Sequence, residues 1–295
     1  MRLTALLLAT LWSCTVFAVD YHCSKRAALQ LLKRPAYDFS VNLLQRITED
    51  TDAHFVHSPL ASWLQLMALS EGATGRTFQE IWSVTRHHRN SCFKRKLGQI
   101  VQNLLAELQP ECNRDSVIAA DALMGVKKRF QAAVRRLYGT KVMLLNFDDK
   151  VNAAVVVNKE IAQGTKDAVG TIVYYDDFNS TLSVLLSEGN YFKGEWASPF
   201  DSALTKPQNF YDISKGARNK IGEVNMMNQV GYFNVTYFPK INARVLEMPF
   251  SNTRLSMLVL ILQHIEFIIY FDVNNIKPCL KYVQLLVHFL CIILI

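Results

Sequence analysis

Apolar residues in the first half of the chain recur at helical spacing. Phe39, Leu43 and Ile47 share one face of a helix predicted over residues 35–48, with Pro35 at its start. Further helices are predicted after Ser58, which caps one of them, after Thr77, and over residues 93–109, 127–138 and 151–161. The first half of the chain is therefore predicted to be mainly helical.

Short apolar runs bounded by turn residues predict strands, most of them in the second half. They cover residues 55–57, 116–125, 141–147, 182–192, 231–237, 243–249 and 255–262. Helices first and strands later, interleaved in the middle, predict an α+β domain. The chain has 295 residues, of which 50% are apolar, and no linker-like segment divides it, so one large domain is favoured.

The N-terminus has the pattern of a secretory signal peptide. Arg2 precedes an apolar run over residues 3–11, and small residues precede a cleavage point after Ala18. Residues 1–18 are therefore predicted to be removed, which makes the protein secreted. In an exported protein, two sequons are candidate N-glycosylation sites, at Asn179 and Asn234.

Basic residues are concentrated in two segments that contain no acidic residue. The net charge is +7, which draws the chain toward polyanions. The two clusters are Arg86, Arg89, Lys94, Arg95 and Lys96, and then Lys127, Lys128, Arg129, Arg135 and Arg136. A solvated basic face and a glycosaminoglycan-binding site both fit this pattern, and nothing in the sequence predicts a nucleic-acid partner.

The motifs of the common enzyme classes are missing from the sequence. It contains no G-x-S-x-G, H-E-x-x-H, C-x-x-C or G-x-G-x-x-G. His87 and His88 are adjacent, so they cannot share a metal as helical i, i+4 ligands do, and they are expected to be exposed. The sequence therefore predicts no catalysis, no cofactor and no metal site.

Five short motifs occur in one order along the chain. They are residues 57–60 (HSPL), 71–77 (EGATGRT), 189–196 (GNYFKGEW), 224–229 (VNMMNQ) and 245–250 (VLEMPF). In this order and at these spacings they resemble the serpins, the serine-protease-inhibitor superfamily. The resemblance covers residues 35 to about 262 and implies a serpin-like fold, with helices packed on large mixed β-sheets.

The resemblance implies a mechanism as well. In the family, a serine protease cleaves an exposed loop near the C-terminus, and the loop then inserts as a new strand into the main sheet and carries the trapped acyl-enzyme with it. Control of sheet opening is assigned by resemblance to Ser58, Glu188 and Trp196.

Three residues, at positions 61, 160 and 188, depart from the family pattern. Ala61 stands where the family has a second Ser, and Glu188 stands where it has a buried Asn. Glu160 replaces a Trp beside Asn158. A carboxylate at position 188 needs a partner or a raised pKa, because burial disfavours the charged form.

The cysteines leave the disulfide pairing open. Residues 93–109 form a helix about 25 Å long between Cys92 and Cys112, whereas bridged Cα atoms lie within about 7 Å. Cys23 could reach either one, and three free thiols are the alternative. Antithrombin-like serpins fasten their N-terminal arm to this region, and the fourth helix binds heparin-type polysaccharides in some family members, so both features have precedent by resemblance.

The resemblance ends near Leu262. Residues 263–295 hold seven Ile and three Phe but no Ala, Gly, Arg, Ser or Thr. They are interpreted as an apolar tail outside the family, a read-through artefact, and their longest apolar run is too short for the ~20 residues of a membrane span. The sequence thus predicts an incomplete serpin domain over 19–262, ending after the early strands of the second sheet.

The expected function follows the family with one exception. The family role is inhibition of serine endopeptidases, and a serine protease is the expected partner. The 295-residue chain carries no recognisable bait loop and is expected not to inhibit. A non-inhibitory extracellular protein that binds heparin-like polysaccharide, or a non-functional fragment, is the alternative.

Overall fold

Six α-helices are present in the part of the chain that the structure describes. The computed structural model describes residues 23–50, 55–212, 219–239, 242–252, 254–262 and 292–294. The helices are α1 (Lys25–Asp50), α2 (Pro59–Ser70), α3 (Gly75–Thr85), α4 (Ser91–Leu108), α5 (Lys128–Tyr138) and α6 (Lys150–Gly164). The predicted signal peptide and most of the predicted tail lie outside the described residues.

Nine strands form three sheets within the same residues. They are β1 (Cys112–Asp121), β2 (Lys141–Leu145), β3 (Val184–Phe192), β4 (Lys206–Asp212), β5 (Asn219–Met226), β6 (Asn234–Phe238), β7 (Ala243–Pro249), β8 (Ser256–Leu262) and β9 (Ile292–Leu294). The first sheet has the order β2-β1-β3, the second pairs β4 with β5, and the third has the order β6-β7-β8-β9. The pairs β1–β2 and β8–β9 are parallel and the others are antiparallel.

Strand β1 is buried on both faces because helices cover each side of the first sheet. Its residue Ile118 packs into a cluster with Met67 of α2 and Val134 of α5. Residues Val117 and Ala119, which point the other way, pack on side chains of α6. The first sheet is therefore the middle layer of an α/β/α sandwich, and we call its two faces the α2/α5 face and the α6 face.

The structure corrects several sequence-based predictions. Pro35 lies inside α1, which begins ten residues earlier than its predicted start. Residues 55–57 form no strand, and Val56 is 91% exposed, so the predicted short buried strand is wrong. Strand β1 begins and ends earlier than predicted, and β4 and β5 were not predicted at all.

Tertiary contacts explain why α1 extends through its proline. The added N-terminal turns bury Ala28 against Phe93 and Ile100 of α4. A disulfide between Cys23 and Cys92 fastens the start of the helix to the same place, with a Cα–Cα distance of 6.3 Å. Packing on α4 stabilises the helix beyond what local propensity predicts, because most helical stability in proteins comes from such contacts.

Candidate functional site

Ser58 lies at the N-cap of α2, as predicted. Its side chain makes no capping hydrogen bond, and its Oγ is buried without a partner among the described residues. The helix is started by Pro59 at its first position rather than by a side-chain cap. Ser58 is therefore a small, half-buried polar residue at the start of α2, and its assignment to sheet opening stays a prediction.

Gln65 of α2 is a polar contact to the sheet that sequence reasoning missed. The side chain is buried, and its Nε2 donates to the carbonyl oxygens of Val117 on β1 (3.1 Å) and Ser187 on β3 (2.9 Å). These two residues face each other in the strand register. Gln65 thus ties the two strands together from the α2/α5 face.

Glu188 has the partner that its position requires. Arg114 Nε lies 2.6 Å from Glu188 Oε1, and both side chains are only 8% exposed. Arg114 Nη1 also donates to the carbonyl oxygen of Tyr138 at 3.1 Å. Glu188 therefore forms a buried ion pair between neighbouring strands.

The register of the sheet explains how the two charges meet. Arg114 lies opposite Asn190, and Ser116 lies opposite Glu188, so Arg114 and Glu188 are diagonal neighbours on one face. Asn190 Nδ2 lies 3.4 Å from Glu188 Oε1. Three further atoms of this group, Arg114 Nη2, Glu188 Oε2 and Asn190 Oδ1, are buried without a hydrogen bond from the described residues.

A second ionic cluster lies on the α6 face. Lys141 of β2 donates to Asp115 of β1, with Nζ 3.0 Å from Oδ2, and also to Glu160 of α6. Burial opposes the charge on Lys141, but hydrogen bonds to the two carboxylates outweigh it and raise the pKa of the lysine. Glu160 therefore contributes an ion pair that links α6 to the sheet.

Trp196 is half-buried and packs against a cluster that contains Leu108, Cys112 and Phe250. It stacks on Phe250 with ring centroids 4.5 Å apart and an interplanar angle of 10°, and the two residues form an isolated β-bridge. The turn at Gly194 is tight, because a Cβ there would lie 2.7 Å from the Phe250 ring. In the described part of the chain, no hydrogen bond joins Ser58, Glu188 and Trp196 to one another.

The basic residues of the second cluster form one exposed surface on α5, which we call the α5 basic face. Its members are all exposed: Lys127, Lys128, Arg129, Arg135 and Arg136. The opposite side of the helix is buried through Val134, Leu137 and Tyr138. Gly139 ends the helix with a φ of 65°, as predicted.

The first basic cluster is more heterogeneous. Lys94 is half-buried and pairs with Glu71 at 2.9 Å, so its charge is compensated internally. Arg89 stacks over the Trp82 ring at 4.2 Å from its centroid, and Arg86 lies 4.0 Å from Asp38. Arg95 is exposed and Lys96 is half-buried.

His87 is buried, so the prediction that it is exposed is wrong. It is 3% exposed, not a surface residue, and its Nδ1 lies 2.8 Å from the Thr85 hydroxyl. Burial, reinforced by the nearby Lys94 charge, lowers the pKa of His87 to about 4. It is a neutral core histidine at physiological pH.

The remaining candidate residues are placed as follows. The disulfide uses Cys92 and leaves Cys112 as a buried free thiol, whose pKa is raised by burial. Asn179 is exposed in a turn, and Asn234 is exposed on β6, where its amide donates to Glu247. No helix in the described ranges is long and apolar enough to cross a membrane.

A family model described as "Serpin (serine protease inhibitor)" matches residues 35–267. Rat Serpin A12 is 28% identical over 233 residues, which cover 78% of this chain and 55% of the relative. Plasminogen activator inhibitor 1 of Neovison vison is 27% identical, covering 76% of this chain and 56% of the relative. The chain therefore belongs to the serpin family, and it spans a little over half the length of these curated relatives.

Comparison with solved structures shows the same fold. The crystal structure of mouse protein-Z-dependent protease inhibitor gives a TM-score of 0.73 at 20% identity, covering 87% of this chain and 69% of that structure. The predicted serpin-like α+β fold is confirmed. The matching family is described as one of serine protease inhibitors, and the absence of enzyme activity in this chain stays a prediction.

Proposed function

We propose that this chain supplies the helical scaffold and main-sheet strands of a secreted serine-protease inhibitor of the serpin type. The observation that carries the proposal is the arrangement of the first sheet. β3 pairs with β1 on one edge and with no other described strand on its second edge. A strand edge with open backbone groups accepts a further strand, and strand addition is the family's means of trapping a protease.

The second part of the proposal is that the 295-residue polypeptide alone does not inhibit. The family match covers residues 35–267, and no segment of the 295 residues has the small-residue hinge of a bait loop. Such a loop needs a structural anchor at each end to present its bond to a protease. The polypeptide therefore meets a protease only as a substrate.

This proposal is tested by incubating residues 19–295 with trypsin, chymotrypsin and elastase. Denaturing gels should show cleavage fragments and no band above the mass of either protein. An intact inhibitory serpin in the same assay is the positive control, and each protease inactivated at its serine is the negative control. A covalent, SDS-stable complex of the wild-type chain would overturn the absence of inhibition.

Secretion is tested separately from inhibition. Expression in a eukaryotic cell should release protein whose N-terminus is Val19. Retention of the protein in the cytosol, or a mature terminus before Val16, would contradict the signal-peptide assignment. If Asn179→Gln and Asn234→Gln each lower the apparent mass of the secreted protein on a denaturing gel, both sequons carry N-glycans.

A second candidate function, binding of heparin-like polysaccharide, is favoured by the α5 basic face. Four cations lie on the three turns of α5 and Lys127 is its N-cap residue, and no ion pair of the described residues neutralises any of the five. A solved structure of protease nexin-1 with heparin has a TM-score of 0.69 and 22% identity, covering 78% of this chain and 64% of that structure. A dense row of solvated cations attracts a sulfated chain, and the attraction falls with salt.

Heparin chromatography with two matched triple variants tests this function. Arg129→Glu, Arg135→Glu and Arg136→Glu together should elute at much lower salt than the wild type. The control, Lys150→Glu, Lys206→Glu and Lys220→Glu, makes the same change in net charge at exposed sites elsewhere. Equal shifts in the two variants would show that only the total charge matters, and would reject a site on α5.

The heparin test also discriminates within the basic residues. Because Lys94 is already paired with Glu71, Lys94→Gln should shift elution less than Arg95→Gln. The opposite order would show that the ion pair with Glu71 does not compensate the charge of Lys94.

A further inference from the structure

Two consecutive tyrosines are exposed in the turn segment between α6 and β3. Tyr174 is 59% exposed and Tyr175 is 56% exposed. The residues that flank them are core residues, because Val173 is 4% exposed and Phe178 is 1% exposed. The two rings are therefore held at the surface by a segment that is anchored on both sides.

The turn itself is ordered by backbone hydrogen bonds. Residues Tyr175–Asp177 form a 3₁₀ turn, and the carboxylate of Asp177 accepts from the Tyr174 N–H at 2.8 Å. The Phe178 N–H donates to the Tyr175 carbonyl oxygen at 3.2 Å. Within the described part of the chain, no hydrogen bond or ion pair uses the Tyr175 hydroxyl or the Asp176 carboxylate.

The surroundings of the tyrosines in the sequence carry only negative charge. Over residues 168–187 the charged residues are Asp176 and Asp177, and no Lys, Arg or His occurs. This stretch is an acidic island in a chain whose net charge is +7. Because the Tyr175 ring is exposed beside two carboxylates, packing in the core does not explain why a tyrosine occupies this position.

We propose that Tyr175 is a site of tyrosine O-sulfation. The sulfuryl donor for this reaction is a nucleotide phosphosulfate, so a transferase that binds it needs a basic active site. A basic site attracts an acceptor whose neighbours are acidic and repels one flanked by Lys or Arg. Tyr175 meets this requirement, since Asp176 and Asp177 follow it directly.

The transfer is balanced without a redox partner. The Tyr175 phenolic oxygen attacks the sulfur atom of the donor, an O–S bond to tyrosine forms, and the bond from sulfur to the bridging oxygen of the donor's phosphate breaks. The phenolic proton leaves to a base of the transferase, and the nucleotide phosphate departs with its oxygen. The product is a sulfate ester, which adds a permanent negative charge next to the two carboxylates.

The proposal rests on the secreted character proposed above, because such transferases act on proteins in the export pathway. Two versions of the full chain separate the two hypotheses. One keeps residues 1–18, and the other carries in their place the signal peptide of a well-secreted protein. If only the second version is exported, the assignment of residues 1–18 as a signal peptide is wrong. The exported second version then still tests sulfation.

Mass spectrometry of the exported protein is the experiment. Trypsin releases residues 167–193 as one peptide, which contains Tyr174, Tyr175, Tyr191 and Asn179. After removal of N-glycans, the peptide should carry the added mass of one sulfuryl group, resistant to phosphatase and lost when cells grow with chlorate. Tyr175→Phe should abolish the added mass, whereas the matched variant Tyr174→Phe should retain it.

Two further variants test the recognition argument. Asp176→Asn with Asp177→Asn should reduce the modified fraction several-fold, because the acidic neighbours attract the transferase. An unmodified peptide from exported wild-type protein would overturn the proposal. So would an added mass that survives in Tyr175→Phe, or one that phosphatase removes.

Discussion

The two faces of the β2-β1-β3 sheet each carry an ionic cluster, and the clusters differ in how far they are removed from water. On the α2/α5 face, Arg114 and Glu188 are both 8% exposed. On the α6 face, Lys141 is 39% exposed and Glu160 is 26% exposed, with only Asp115 deeply buried at 5%. Glu188 and Glu160 are thus two carboxylates that meet their basic partners in different environments.

The difference in burial sets the energetic role of each cluster. A buried ion pair adds little net stability, because desolvation of both charges offsets their attraction, yet removal of one partner leaves an uncompensated buried charge. A partly exposed pair is screened by water and contributes about 0–1 kcal/mol. The α2/α5 face should therefore be sensitive to a broken pair, and the α6 face should be tolerant.

The largest effect is expected for Glu188→Gln. The substitution keeps the shape of the side chain but leaves the Arg114 guanidinium without its counter-charge, which costs about 3–5 kcal/mol for a buried pair. Urea unfolding followed by circular dichroism measures the loss. Glu223→Gln is the matched control, because Glu223 is exposed on β5 and should change stability by less than about 0.5 kcal/mol.

The double variant Arg114→Met with Glu188→Leu shows whether charge is the cause. If the cost of Glu188→Gln comes from an unpaired charge, removing both charges should restore most of the lost stability. A double variant that is as unstable as the single one would mean that the pair contributes through packing. The contrast between the two faces would then fail.

Local signals in the sequence located some elements well and others poorly. Gly139 ends α5 as expected, because its left-handed conformation is favourable for glycine. Pro35 misled the prediction, since packing of α1 on α4 overrides a local helix-start signal. Strands β4 and β5 are rich in polar residues and pair mainly with each other, so their sequences carry no strong apolar alternation.

The candidate site was predictable only in part, for a related reason. The sequence shows that a carboxylate at position 188 needs a partner, but Arg114 is 74 positions away and is brought near by the antiparallel register. Gln65 gave no signal, because its role depends on which carbonyl groups lie opposite it. Contacts of long sequence separation are fixed by topology, which local patterns do not contain.

A smaller effect is expected for Gly164→Ala on the α6 face. A Cβ at residue 164 would lie 2.2 Å from Asp115 Oδ2, so the substitution displaces a buried carboxylate that holds Lys141. The clash should cost about 1–3 kcal/mol. Gly170→Ala is the control, because a Cβ there meets nothing within 4 Å.

This prediction sharpens the comparison of the faces. If Gly164→Ala destabilises the protein and Glu160→Gln does not, the contact between Lys141 and the buried Asp115 is the part of the α6 cluster that contributes to stability. A Gly164→Ala variant with unchanged or raised stability would show that Asp115 moves aside freely. The α6 face would then hold no rigid ionic contact at all.

The smallest effect is expected for Glu160→Gln, and pH isolates it. Lys141 has a pKa raised above its usual value of 10.5, so its cluster stabilises the fold fully below that pH and loses this contribution as pH rises through the folded-state pKa. Glu160→Gln should therefore lower the free energy of unfolding by up to about 1 kcal/mol at pH 8, and by less above pH 10.5.

Tyr138 also ionises in alkali, with its pKa raised mainly by burial, and it destabilises the fold there in both proteins. The difference between wild type and Glu160→Gln, measured by urea unfolding from pH 7 to 11, cancels that shared term. A difference that grows with pH would contradict the assignment of Glu160 as a partner of the lysine.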